Sequence, residues 1–339
     1  MEADPTEAYK PDDTTGFIRL NALRLKVAAT VRGEEVIPSD CRQKKADGVP
    51  NLCMQPPTSQ DAARRLLILL VVKSLALRLM MRWDFIFRTR HTLKKSFGIE
   101  PEWKSLGFGG WWLRQRAKWN WRTECSAWHR ALQEAGAAAG LTTNEFTFLR
   151  CRLSAESRES ANQMLWQIEG AACIAWALRL MPRIWPMDEQ FDGKLDEKTL
   201  LSPKQQLVVS AALRPREEIE AARKRVELWH WRARQHTIER QGVRWPPPDA
   251  CPDVIADLKA KGLDSLDGVV RFTAVSLKRN GVLHEIIGDD FPARGRAYRE
   301  LSDSDAFELL SIAQERHRAL NWLCGMATEN DWDVTPTET

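Results

Sequence analysis

The sequence is nearly devoid of tyrosine, with two against fifteen tryptophans. Tryptophan brings large apolar area and a single N–H that needs a partner when buried, so the chain favours bulk over hydroxyls for its cores and contact surfaces. Cysteine occurs seven times, at Cys41, Cys53, Cys125, Cys151, Cys173, Cys251 and Cys324, an odd number with no CxxC pair. That scatter speaks against a disulfide framework. HExxH and GxSxG are missing, and no GxGxxG or P-loop follows a predicted strand. The usual signatures of zinc sites, nucleophilic hydrolysis and nucleotide binding are therefore absent. Long uncharged runs are missing too. The stretch from Leu66 to Met81 is interrupted by Lys73 and Arg78 and flanked by Arg64, Arg65 and Arg82. It falls short of the ~18 uncharged residues of a membrane span and reads as a buried helix, with no membrane insertion expected. The opening segment is acidic, contains proline and has no apolar core of a signal peptide, so the protein is expected to stay in the cytoplasm.

What is present is a globular composition, 43% hydrophobic and 28% charged over 339 residues. That length can bury a sizeable core and leaves one large domain with insertions or two packed subdomains open. The net charge of +4 hides an asymmetry. From Gln60 to Glu134 there are 15 Lys and Arg against 6 Asp and Glu, a net of +9, so the remainder carries −5.

Along the chain, residues 1–14 read as a flexible polar tail, and Phe17, Leu20, Leu23, Leu25 and Val27 mark a first helix ending at Gly33. Thr58 and Asp61 have capping-box spacing ahead of the apolar run, which predicts a long helix. Gly107, Gly109 and Gly110 predict a break before a helix from Trp111 to about Gly136. Met164, Ile168, Ala171, Ala172, Ala175 and Leu178 predict a helix from about Glu156 to Met181, stopped by Pro182. Ser202, Pro203 and Gln205 form a further cap. Ile219, Ala222, Val226 and Trp229 line one face of a charged helix closing at Gly242, ahead of Pro246–Pro248. Residues 251–300 read as a mixed insertion, with Val269–Leu277 fitting strand or helix. Ser302 and Asp305 open a last helix whose face of Leu309, Ile312, Ala319, Trp322 and Leu323 should dock on the core.

The segment Glu315-Arg316-His317-Arg318-Ala319-Leu320-Asn321-Trp322-Leu323, with Asp331-Trp332-Asp333-Val334, resembles the C-terminal signature of the bacterial domain-of-unknown-function family 4272. Trp166, Glu169 and Ala175-Trp176-Ala177-Leu178, followed by Pro186 and Asp188, are similar to its central helix and proline-containing exit. Leu213-Arg214-Pro215 with Glu217, Glu218 and Ile219 resembles its next helix start, and Trp231 falls where the family tends to carry Trp. The resemblance extends over residues 17–336, with residues 103–130 and 251–300 standing out as elaborations. It implies a helical fold and implies no catalytic residues.

Two groups of residues are candidates for function. The first is the basic Trp segment, with Trp111, Trp112, Trp119, Trp121 and Trp128 among Arg114, Arg116, Lys118, Arg122 and Arg130. Indole faces and cations suit a protein interface, or stacking on single-stranded nucleic acid with phosphate contacts. They equally suit a helix whose Trp side chains fill the core while Arg side chains lie over them. The second is a polar cluster of Glu169, Arg316, Asn321 and Asp333. Ionisable groups at core-facing positions usually pair, so a structural ion pair between Glu169 and Arg316 is favoured over a catalytic carboxylate. Cys125 with His129, and His230 with His236, do not supply three converging ligands, so no metal is expected. Cys173, in an Ala-rich helix, reads as a buried, inert thiol.

These readings converge on a mainly all-α, multi-helical bundle: one extended domain over residues 15–336, with a basic Trp-rich segment at 103–134 and a small mixed insertion at 251–300. The leading functional expectation is a non-enzymatic module that binds another protein through Trp111, Arg114, Trp119, Arg122 and Trp128. An immunity or accessory component of a bacterial conflict system is one concrete form. A nucleic-acid-associated protein using the same segment, and an enzyme with a polar site near Glu169 and Arg316, are the alternatives. No cofactor is expected, and nothing in the sequence specifies an oligomeric state.

Overall fold

The computed structural model describes residues 55–97, 107–151, 155–192, 204–247 and 250–338. The expected polar tail over residues 1–14, the helix from Phe17 to Gly33 and the cap at Ser202 and Pro203 lie outside the described residues. The remainder is mainly α-helical, with one two-stranded hairpin.

Helix α1 (Ser59–Phe97) begins at the capping box that Thr58 and Asp61 predict. The Asp61 N–H donates to Thr58 Oγ1 at 3.2 Å, and the Thr58 N–H donates to Asp61 Oδ2 at 3.1 Å. All five residues from Leu66 to Leu70 are buried, as befits a helix that is apolar all round. Gly107, Gly109 and Gly110 do not break the chain: they form the first turn of α2 (Gly107–Glu134). The first N–H groups of a helix have no intrahelical partner in any case, so glycine there sacrifices less than in the interior. Short α3 (Thr143–Arg150) follows, opened by a capping box of Thr142 and Glu145.

Helix α4 (Ala155–Ala177) ends one turn earlier than expected. Arg179 adopts φ 62°, the Leu180 N–H reaches Ala175 O and the Arg179 N–H reaches Trp176 O, a Schellman closure with arginine where glycine is usual. Arg214 completes this end. Its side chain donates to Trp176 O at 2.9 Å and to Met181 O at 3.1 Å, and its guanidinium lies 5.0 Å from the Trp176 ring centroid. Short α5 (Lys204–Val209) precedes α6 (Arg216–Arg240), which buries Ile219, Ala222, Val226 and Trp229 as their spacing predicts.

The stretch from 251 to 300 is chiefly helical. It holds α7 (Pro252–Ala260), α8 (Leu266–Arg279), which takes in Val269–Leu277, and a hairpin of β1 (Pro292–Ala293) and β2 (Arg296–Ala297). The hairpin turn has Arg294 and Gly295 both at positive φ, and the Arg294 N–H donates to Asp188 Oδ2 at 2.8 Å. Helix α9 (Asp303–Leu323) starts at the cap of Ser302 and Asp305 and buries Leu309, Ile312, Ala319, Trp322 and Leu323.

Helix α4 packs against α1 and α9, and α9 packs in turn against α6. Two glycines mark where the chain beyond α9 comes close to this bundle. A Cβ on Gly170 of α4 would meet the Trp332 ring at 3.1 Å. Gly325, at φ +75° beyond α9, has Pro56 so close that a Cβ would stand 2.9 Å from its backbone. One core joins α1–α4 to the start of α6 and the end of α9; a second joins the middle of α6 to α8, the hairpin and the start of α9.

Candidate functional site

The indoles of α2 divide by depth. Trp121 is buried and donates its indole N–H to Cys151 O at 3.0 Å. Trp128 is half-buried, with the Arg78 guanidinium 6.0 Å from its ring centroid. Trp119 is 74% exposed, and Arg122 and Arg130 on the same helix are exposed as well. Trp111, Trp112, Arg114, Arg116 and Lys118 lie on α2, with side chains outside the described residues. Glu124 ties this helix to α1, accepting from Arg82 at 2.7 Å with Arg78 at 3.5 Å.

Of the polar cluster, the structure joins Glu169 to Arg316 and separates the other two. Both are fully buried. Arg316 donates to Glu169 Oε2 from Nε at 2.9 Å and from Nη2 at 2.7 Å, while Glu169 Oε1 accepts the Phe191 N–H at 2.8 Å. The rest of the guanidinium goes to the carbonyls of Trp185, Pro186 and Glu189. Burial pushes the Glu169 carboxyl up, and Arg316 with the Phe191 N–H opposes it. The pair fastens α4, α9 and the chain from Trp185 to Phe191 together.

Asn321 faces a different set. Its Nδ2 donates to Pro336 O at 2.7 Å and lies 3.0 Å from His317 Nε2. An amide nitrogen that donates to a carbonyl also donates to the imidazole, so His317 Nε2 is the acceptor and Nδ1 carries the proton. That proton points to His230 Nδ1, 3.1 Å away, which places the proton of His230 on Nε2. Burial holds His317 down to about 4, with Arg223 adding to it, and holds His230 down to about 3, with His317 adding to it. Two neutral imidazoles in a fixed tautomeric chain result.

Two further buried pairs escaped the sequence reading. Arg65 forms a fork with Glu145, Nη1 to Oε2 at 3.0 Å and Nη2 to Oε1, and its guanidinium lies 4.6 Å from the Trp332 ring centroid. Arg232 meets Asp290 at 2.6 and 2.7 Å. Burial would raise the Asp290 carboxyl, but Arg232 and the N–H groups of Phe291 and Arg299 hold it below its ordinary value. A signal existed for Arg65, an arginine at the edge of an apolar run; Arg232 sits in so charged a helix that nothing marked it. The candidate metal pairs do not converge. Cys125 is buried, its thiol pushed up to about 12 by burial; His129 edges onto Phe146, and His236 onto Tyr298. No group of three or more His, Cys, Asp or Glu gathers among the described residues. Cys173 is buried, and burial pushes its thiol up to about 12 as well.

Asp333 stands in a groove of about 470 Å³ between α3, α4 and α9, shared with Phe148, Met164, Gln167, Glu315 and Arg318. Its Oδ2 accepts the Asn144 N–H at 3.4 Å. Glu169, Arg316 and Asn321 do not line this groove, so the four residues do not form one site.

Residues 112–248 match the family model described as domain of unknown function DUF4272. That stretch belongs to the DUF4272 family. No match was found among curated proteins or solved structures. The DUF4272 stretch takes in residues 112–130 of the basic Trp segment, which sequence reading set apart as an elaboration, and ends before the C-terminal residues 315–334. Three of its buried polar groups find partners beyond that end, Glu169 with Arg316, His230 with His317 and Arg232 with Asp290, and Glu145 finds Arg65 ahead of its start. The DUF4272 stretch is therefore neutralised and hydrogen-bonded by chain outside it.

Proposed function

We propose that this protein is a non-enzymatic, cytoplasmic interaction module that binds another protein through the outer face of α2, centred on Trp119 and Arg122. The observation that carries the reading is the exposure of Trp119 at 74%, on a helix where neighbouring Trp121 is consumed by the core. Trp and Arg are the residues that most often dominate binding energy at interfaces, because a rigid apolar surface and a multidentate cation lose little entropy on docking. The internal pairing of Glu169 and Arg316 supports a binding role over a catalytic one. An immunity or accessory role in a conflict system is one concrete form of this reading.

The test is affinity capture of the tagged chain from its host, with and without nuclease, using wild type and a Trp119→Ala/Arg122→Ala variant. Both chains should unfold cooperatively with stabilities within about 0.5 kcal/mol, as surface substitutions do. A stoichiometric protein that survives nuclease and is lost from the variant is the expected result. Recovery of nucleic acid alone, released by salt, would replace this reading with a nucleic-acid role for the +9 segment.

A further inference from the structure

A cavity of about 310 Å³ opens beside α6, where the chain leaving α4, the loop after α8 and the start of the hairpin meet. Its walls are mostly apolar. Trp185, Pro186 and Met187 come from the chain leaving α4, Trp229 from α6, Leu283 from the loop and Pro292 from β1. Two of these walls are fixed by the core behind them. Arg316 holds the carbonyls of Trp185 at 3.3 Å and Pro186 at 2.6 Å, and the Trp229 ring stands edge-on to Phe291 with centroids 5.7 Å apart. Walls held in this way lose little freedom when a ligand enters.

The charged residues of the lining, Arg183, Arg225 and Glu285, are all exposed and so stand at the mouth, with His284 beside them. None of the three has an ion-pair or hydrogen-bond partner among the described residues. Two guanidinium groups against one carboxylate leave a single positive charge to be met. A cation would face two like charges, and a phosphate dianion would bring one negative charge too many, next to Glu285. A carboxylate matches both the sign and the shape, because a guanidinium offers two parallel N–H groups to its two oxygens. The volume lies at the lower end of small-molecule sites, which are largely apolar with a few polar groups that set orientation. We infer that this cavity binds a small aryl carboxylate, whose ring lies against Trp185 and Trp229 and whose carboxylate is taken by Arg183 and Arg225. The site shares no residue with the α2 surface.

Phenylacetate and indole-3-acetate are suitable probes in calorimetric titration of the full chain, with indole-3-acetamide as the uncharged counterpart and phenyl phosphate as the dianion. Saturable one-to-one binding of at least one carboxylate is expected, about tenfold or more tighter than either control, the margin that a charge-assisted hydrogen bond supplies. Arg183→Gln and Arg225→Gln alter exposed positions and should fold as the wild type does. Each should weaken carboxylate binding by about tenfold and leave the affinity for indole-3-acetamide unchanged. Absence of saturation by both carboxylates at millimolar concentration would overturn the assignment. So would equal or tighter binding of the amide or the phosphate, or carboxylate binding that neither substitution changes.

Discussion

Arg316 makes five hydrogen bonds, two to Glu169 and three to main-chain carbonyls between Trp185 and Glu189. Removing one member of a buried pair strands the other, so Arg316→Met should cost about 3–5 kcal/mol in urea unfolding. Glu169→Leu with Arg316→Met should cost less than the two single changes combined, because neither charge is then left alone. A wild-type midpoint for Arg316→Met would show the pair to be idle. This pairing was legible from two ionisable residues set among apolar helical positions. Asn321 was not correctly placed, because five positions along a helix put it about 140° around from Arg316. His317, four positions from Asn321, shares its face and was the partner to seek.

Among the elements, helix starts were legible because a hydroxyl or carboxylate three residues from its partner satisfies otherwise unpaired N–H groups, as at Thr58 and Ser302. The end of α4 was not, since it depends on Arg179 at positive φ and on Arg214 from 35 positions further on. Nor was the 251–300 stretch, whose α8 shows the short apolar run that strand and helix share. Where α4 crosses α9, one carbon added to Gly170 would stand 3.4 Å from the Glu315 carbonyl of α9 and 3.1 Å from the Trp332 ring beyond that helix. Gly170→Val should therefore lower stability by about 1–3 kcal/mol through overpacking, seen as a lower thermal midpoint. An unchanged midpoint would mean that the crossing has slack.

For the whole molecule, the matched stretch 112–248 leaves several of its buried groups to be paired by chain outside it. Expressed alone it would present Glu169, His230 and Arg232 without Arg316, His317 and Asp290, and would lose the α9 surface that both α4 and α6 pack against. That fragment should show no cooperative thermal transition by circular dichroism, whereas residues 54–337, one compact unit, should retain it. A cooperative melt of the fragment would show that the partners outside it are dispensable.

Helix α9 lies between α4 and α6 but follows both along the chain. A ribosome delivers α4 and α6 well before α9, so the packing of either against α9 waits on the end of the chain. Contacts this distant in sequence slow folding, and the faces that α4 and α6 turn to α9 stay uncovered until it emerges.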